Sequence, residues 1–221
     1  MTTSERELLK SQKKQQGRKK TLTILLIIAN VIILVAVVLL LKAFNKPKAR
    51  LTLTNSIGEP TAPVKVIEFS NFGCVHCKNF ALNEQEKFLQ TYVDTGKVYF
   101  TSHIMPWNET DSTYQLSLAS YCAADQGKFF PFVHNVFNAF GESNYVSEDK
   151  LFQYAKDADL NINELKTCLK DPLIANHAED IQSLFQRYHL TGTPTFVVNG
   201  QTVYANELNE TIDAILAEKG E

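Results

Sequence analysis

The chain has 221 residues, with 22 Lys and Arg against 24 Asp and Glu, and this near balance divides into two opposite parts. Residues 1–50 hold eleven basic and two acidic side chains, a net of +9, which leaves the other 171 residues with eleven basic and 22 acidic ones, a net of −11. That acidic part excludes nucleic acid as a partner, because phosphate binding needs clustered positive charge. At 44% hydrophobic, with nine Gly and seven Pro, the chain is neither disordered nor collagenous, and beyond residue 50 there is length for one domain with a true core rather than a large multidomain enzyme.

Residues 1–20 form a basic tail with seven Lys and Arg, followed at 21–41 by TLTILLIIANVIILVAVVLLL, 21 residues without a charge. At about 1.5 Å per residue this run spans the ~30 Å hydrocarbon core of a bilayer. It is too long for the apolar region of a cleaved signal, and KAFNKPKAR after it offers no small-x-small cleavage site. The expectation is one uncleaved transmembrane helix, with late cleavage as the alternative, and with the tail in the cytoplasm because seven basic residues precede it and four follow at 42–50. Residues 42–55, with Pro47, read as a stalk, and 56–221 as an extracytoplasmic domain.

Within that domain Val64–Ser70 (VKVIEFS) reads as a buried strand, and Ala81, Phe88, Leu89 and Tyr92 fall at the spacing of one helix face. Gly96 ends that helix and Val98–Thr101 begins a second strand, so the opening is a right-handed β-α-β unit with a parallel pair. From about 111 to 188 the pattern is helical, with Ser147 opening one helix and Asp171-Pro172 marking a break. Thr195–Val198 and Gln201–Tyr204 are short strands joined by the hairpin signal Asn199-Gly200, and a helix from about Leu208 to Lys219 closes the chain. This is an α/β domain with a helical insertion.

Four cysteines stand at 74, 77, 122 and 168, and in an oxidising compartment an even count points to two disulfides, for which three pairings exist. Cys74 and Cys77 lie three residues apart where a strand runs into a helix. Cys74 falls at the helix N-terminus, where free backbone N–H groups and the dipole favour an anion, and a protonated His76 would add positive charge. Both effects favour thiolate, the attacking species. Cys77, one turn further on, can attack a mixed disulfide and resolve it. Zinc is a poor fit, since it wants two paired ligand clusters whereas Cys122 and Cys168 are single, and haem attachment needs His where Lys78 stands. A purely structural Cys74–Cys77 bridge would close too short a loop to stabilise much. Cys122 and Cys168 lie in segments of core-like periodicity and read as a structural disulfide, the alternative being two buried thiols.

With Cys-x-x-Cys after VIEFSNFG, and Gly192-Thr193-Pro194-Thr195-Phe196 leading into a late strand, residues 56–221 resemble the DsbA-like thiol–disulfide oxidoreductases of the thioredoxin superfamily. The run Cys122-Ala123-Ala124-Asp125-Gln126-Gly127-Lys128-Phe129 is similar to that family's insertion helices. The resemblance implies a thioredoxin-like fold with a helical insertion and no bound organic cofactor, the redox group being the Cys74–Cys77 pair itself. It implies that Pro194 is cis, so that Thr193, Pro194 and Val75 border the substrate groove, and that Glu68 is an acid buried beneath the pair that accepts a proton from Cys77. From pattern alone Glu68 could equally face solvent at an edge, and Pro194 could be an ordinary turn proline. Val75 replaces the proline often found in the family's dipeptide, so redox poise does not carry over. The anchor is similar to Gram-positive members. The expected function is oxidation of exported thiol-bearing proteins, with re-oxidation by a DsbB-like quinone-linked membrane protein; a reductase or isomerase of the same fold, or a tethered chaperone, are the competing readings.

Overall fold

A computed structural model of the chain describes residues 54–220 and, nearer the N-terminus, the helical residues Asn30, Ile33, Leu34, Val35 and Val37. The chain divides into two compact units, Met1–Arg50 and Leu51–Glu221. In the first, the side chains of Ile33, Leu34, Val35 and Val37 are exposed. The tail, most of the expected membrane span and most of the stalk lie outside the described residues; among the described ones no helix is long and apolar enough to cross a membrane.

The second unit is built on a five-stranded sheet of order β1-β3-β2-β4-β5, with β1 at Ser56–Ile57, β2 at Val64–Ser70, β3 at Val98–Ile104, β4 at Thr195–Val198 and β5 at Gln201–Tyr204. β2 and β3 are parallel and joined by helix α1 (residues 75–93), as the β-α-β pattern predicts. β4 runs antiparallel to β2, and the β4–β5 hairpin turns through Asn199 and Gly200, both with positive φ. The apolar run of β2 is continuous because the strand is central and both sheet faces are covered. Its side chains alternate: Val64 and Val66 enter a core with Phe88, Phe100 and Phe196, whereas Phe69 enters the other with Phe132 and Phe185. Truncating a fully buried ring such as Phe100 would cost about 3–5 kcal/mol.

The second face carries the insertion: α2 (Tyr114–Asp125), α3 (Phe129–Asn138), α4 (Glu148–Asp157), α5 (Ile162–Cys168) and α6 (Pro172–Arg187), after which α7 (Leu208–Lys219) returns to the first core. Ser147 caps α4 and Asp171 caps α6 with Pro172 in its first turn, the local signals that start helices. Residues Leu116–Ala124 of α2 are all buried, so it is the central helix of the insertion and has no polar face. The Cys122–Cys168 disulfide is present and ties α2 to α5.

Two differences from the sequence reading concern α1 and the start of the domain. α1 is interrupted by π-helical turns at Phe80–Glu84 and Leu89–Val93, which admit extra residues and rotate the apolar stripe. The face buried against the first core is Phe80, Phe88, Tyr92 and Val93, while Ala81 packs on the opposite core. Thr54 and Asn55, read as the end of the stalk, are bound into the domain: the Thr54 amide donates to the Ala124 carbonyl at 3.2 Å, and the buried Asn55 side chain donates to the Ser102 carbonyl at 2.8 Å. Neither lies in a periodic apolar segment, so the pattern carried no sign of them.

Candidate active site

The site forms where β2 ends and α1 begins. Asn71 shapes this turn: its carbonyl accepts from the Cys74 amide at 3.1 Å, and its Oδ1 accepts from the Gly73 amide at 2.7 Å. Its Nδ2 donates to the Met105 carbonyl at 2.6 Å and to Asp111 Oδ2 at 3.4 Å, which ties the turn to the loop after β3. A Cβ on Gly73 would lie 3.0 Å from Asn71 Oδ1, so the close approach favours glycine there. The sequence reading passed over Asn71 and Asp111; a polar side chain ahead of a helix start, as in an Asx-turn, was the available signal.

Cys74 is the N-cap of α1. Its Sγ accepts the Cys77 amide at 3.4 Å and lies 3.1 Å from the Thr193 carbonyl oxygen, across from the cis Thr193–Pro194 bond. Both cysteines of the pair are free thiols. The Cys77 thiol donates to Cys74 and is the largest cause of a Cys74 pKa held down at about 5, against the partial burial that opposes it. The Thr193 hydroxyl and the backbone N–H groups of Cys77 and His76 add to the effect. Cys77 is the converse. It is fully buried, and burial together with its hydrogen bond to Cys74 pushes its thiol far above the ordinary range. The pair is thus asymmetric, with a ready thiolate at the surface and a protonated thiol beneath it.

His76 follows Val75 in the first turn of α1. Its side chain is exposed, and what it gives Cys74 is its backbone N–H. Cys77 and Thr193 lower the Cys74 pKa together with this backbone N–H. Val75 is 56% exposed beside the pair. A groove of about 390 Å³ opens next to it, walled by His76, Phe80, Glu84, Thr193, Pro194 and Asn206 among others, without Val75.

Glu68 is buried at 3% exposure in the middle of β2, paired in register with Ser102 of β3 and Phe196 of β4. Burial raises its carboxyl to about 7, with the Ser102 and Ser70 hydroxyls holding it partly back. The edge-facing alternative is thereby removed. Ser70, which the sequence reading did not single out, lies between Glu68 and the cysteines on the same strand face.

A thioredoxin-like sheet with a helical insertion and a Cys-x-x-Cys pair at the first strand-to-helix turn define a DsbA-like thiol–disulfide oxidoreductase. The Thioredoxin family model matches residues 52–218, and the chain belongs to that family. It is 27% identical over 171 residues to disulfide bond formation protein D of Bacillus subtilis, covering 74% of this chain and 77% of that one. It is 25% identical over 151 residues to the probable disulfide bond formation protein D of Bacillus anthracis, covering 66% and 69%. Oxidised BdbD from Bacillus subtilis superposes with a TM-score of 0.66 at 25% identity, over 74% of this chain and 93% of that one. DsbA from Chlamydia trachomatis, at 16% identity and a TM-score of 0.66, over 78% of this chain and 96% of that one, shares the fold.

Proposed function

We propose that this chain is a membrane-tethered oxidase that introduces disulfides into exported proteins. One observation carries the reading: Cys74 is held at about 5 while Cys77 stays protonated beneath it, so the reduced pair is stabilised and the disulfide is correspondingly oxidising. A client thiolate attacks Cys74 Sγ in the disulfide form; the Cys74–Cys77 bond breaks and Cys77 leaves with the electron pair. A second client thiolate then attacks the client sulfur of the mixed disulfide and expels Cys74, which leaves readily because its pKa is low. Two electrons pass from client to enzyme. The groove by Thr193 and Pro194 receives the client segment, and Glu68 supplies and accepts the proton of Cys77.

Residues 21–41 anchor the domain outside the membrane with the basic tail in the cytoplasm, a reading supported by the uncharged run and by its exposed apolar helical residues Ile33, Leu34, Val35 and Val37. Re-oxidation falls to a DsbB-like quinone-linked membrane protein. The relatives named for disulfide bond formation favour the oxidase direction over the reductase, isomerase and chaperone alternatives. The test is oxidative refolding of a reduced, unfolded disulfide protein. The oxidised chain should restore client activity stoichiometrically, and both Cys74→Ser and Cys77→Ser, neither of which can form the donor disulfide, should abolish this. A chain that only reduces insulin, or that prevents aggregation equally without Cys74, would overturn the oxidase reading.

A further inference from the structure

We propose that Ser70 is a positioning residue whose hydroxyl relays the proton between Glu68 and Cys77; this deepens the reading of the Cys74–Cys77 pair above and rests on it. Cys77 and Glu68 are 0% and 3% exposed, so the proton that the thiolate needs cannot come directly from solvent. Ser70, the last residue of β2 and 1% exposed, is two residues from Glu68 and so on the same face of the strand. Its hydroxyl lowers the pKa of both the Glu68 carboxyl and the Cys77 thiol, which puts it within reach of each. Yet among the described residues Ser70 Oγ is a buried polar atom without a hydrogen bond of good geometry.

That combination is unusual. A buried hydroxyl left unpartnered weakens the fold, and alanine would remove the penalty at little loss of volume. Ser70 is not needed to hold the turn, because the contact that its backbone makes, accepting from the Met105 amide at 2.7 Å, is available to any residue. A hydroxyl can donate to one neighbour while accepting from another, which is what a relay between an acid and a thiolate requires. When the Cys74–Cys77 bond breaks, Ser70 gives its proton to Cys77 Sγ and takes one from Glu68. The products are a Cys77 thiol, an unchanged Ser70 hydroxyl and a Glu68 carboxylate. In the opposite direction the same path lets Cys77 lose its proton and resolve a mixed disulfide.

The ionisable groups facing Ser70 are Glu68 on its own strand and Cys77 on α1, with Cys74 bonded to Cys77; β3 contributes the neutral Ser102. His103 of β3 lies on the other sheet face, against Phe69. Glu68, raised to about 7 by burial, can both hold and release a proton near neutrality.

The experiment measures single-turnover reduction of the oxidised protein by a small dithiol between pH 5 and 9, in H₂O and D₂O, for the parent, Ser70→Ala and Ser70→Thr. A positioned proton donor contributes about 10²–10⁴-fold to such a step. The parent should show an inflection near pH 7 and a solvent isotope effect. Ser70→Ala should be about a hundredfold slower below the inflection and lose both signatures, while its Cys74 thiolate still titrates near 5 and its thermal midpoint is equal or higher. Ser70→Thr, which keeps the hydroxyl, should retain rate, inflection and isotope effect. Parent-like kinetics in Ser70→Ala, or a Ser70→Thr as slow as Ser70→Ala, would overturn the relay while leaving Cys74 and Cys77 as the exchanging pair. A parent that undergoes no thiol exchange would instead overturn the reading on which the relay rests.

Discussion

Glu68→Gln removes one negative charge from the centre of the sheet with almost no change of shape, and its effect on stability is set by the raised carboxyl. In the fold the group titrates at about 7, and in the unfolded chain near its ordinary 4.5. The folded state therefore holds its proton more tightly. The stabilising contribution is fully present below about pH 4.5, is lost as pH rises through about 7, and stays lost above it. A carboxyl raised from 4.5 to about 7, at ~1.4 kcal/mol per pH unit, corresponds to about 3 kcal/mol, and because the side chain is buried, solvent screening does not reduce it much. Glutamine cannot ionise. At pH 8 the variant should be more stable than the parent by about 3 kcal/mol, and the difference should shrink towards zero by pH 4.5. Urea unfolding of the oxidised proteins at half-unit pH steps measures this directly, since in the disulfide form neither Cys74 nor Cys77 titrates and all other groups cancel in the difference. Parallel stability curves, or a variant less stable at pH 8, would refute the buried, proton-holding Glu68 on which the proposed proton path depends.

Three further outcomes follow from the same geometry. Thiolate absorbance of the reduced protein should rise with a midpoint near 5 that vanishes in Cys74→Ser; Thr193→Val, which loses the hydroxyl, should move the midpoint upward, whereas His76→Ala should leave it almost in place because the amide remains. Replacing Cys122 and Cys168 together by serine should lower stability, by up to about 4 kcal/mol for a closed loop of separation 46, read as a shift of the urea midpoint, with client oxidation retained. External protease on intact cells or spheroplasts should digest the domain following residues 21–41, and full protection would contradict the proposed topology.

Much of this architecture was legible in the sequence because its signals are local. The β2 run, the Asn199-Gly200 hairpin, the helix start at Ser147, the break at Asp171-Pro172 and the position of Cys74 before α1 each depend on a few neighbouring residues, and each stands where the pattern puts it. Contacts made across the fold were not legible. Asn55 reaches Ser102, and Thr193 reaches Cys74 over 119 residues, distances in sequence that no periodicity encodes. Thr193 and Glu68 entered the reading through family resemblance; the geometry adds the reasons, a hydroxyl beside a thiolate and a carboxyl without solvent. For His76 the geometry adds a backbone N–H directed at Cys74, a contact that adjacency in sequence does not reveal. Ser70 escaped notice for a similar reason: its hydroxyl matters only once β2 and α1 are packed together.

The most direct test of the central claim is the reduction potential of the Cys74–Cys77 couple, measured by equilibration with glutathione buffers and quantification of the thiolate signal. A Cys74 held near 5 above a protonated Cys77 stabilises the reduced form, so the potential should lie above about −200 mV, on the oxidising side of the glutaredoxins. A value near −270 mV, the poise of a reducing thioredoxin, would contradict the oxidase account.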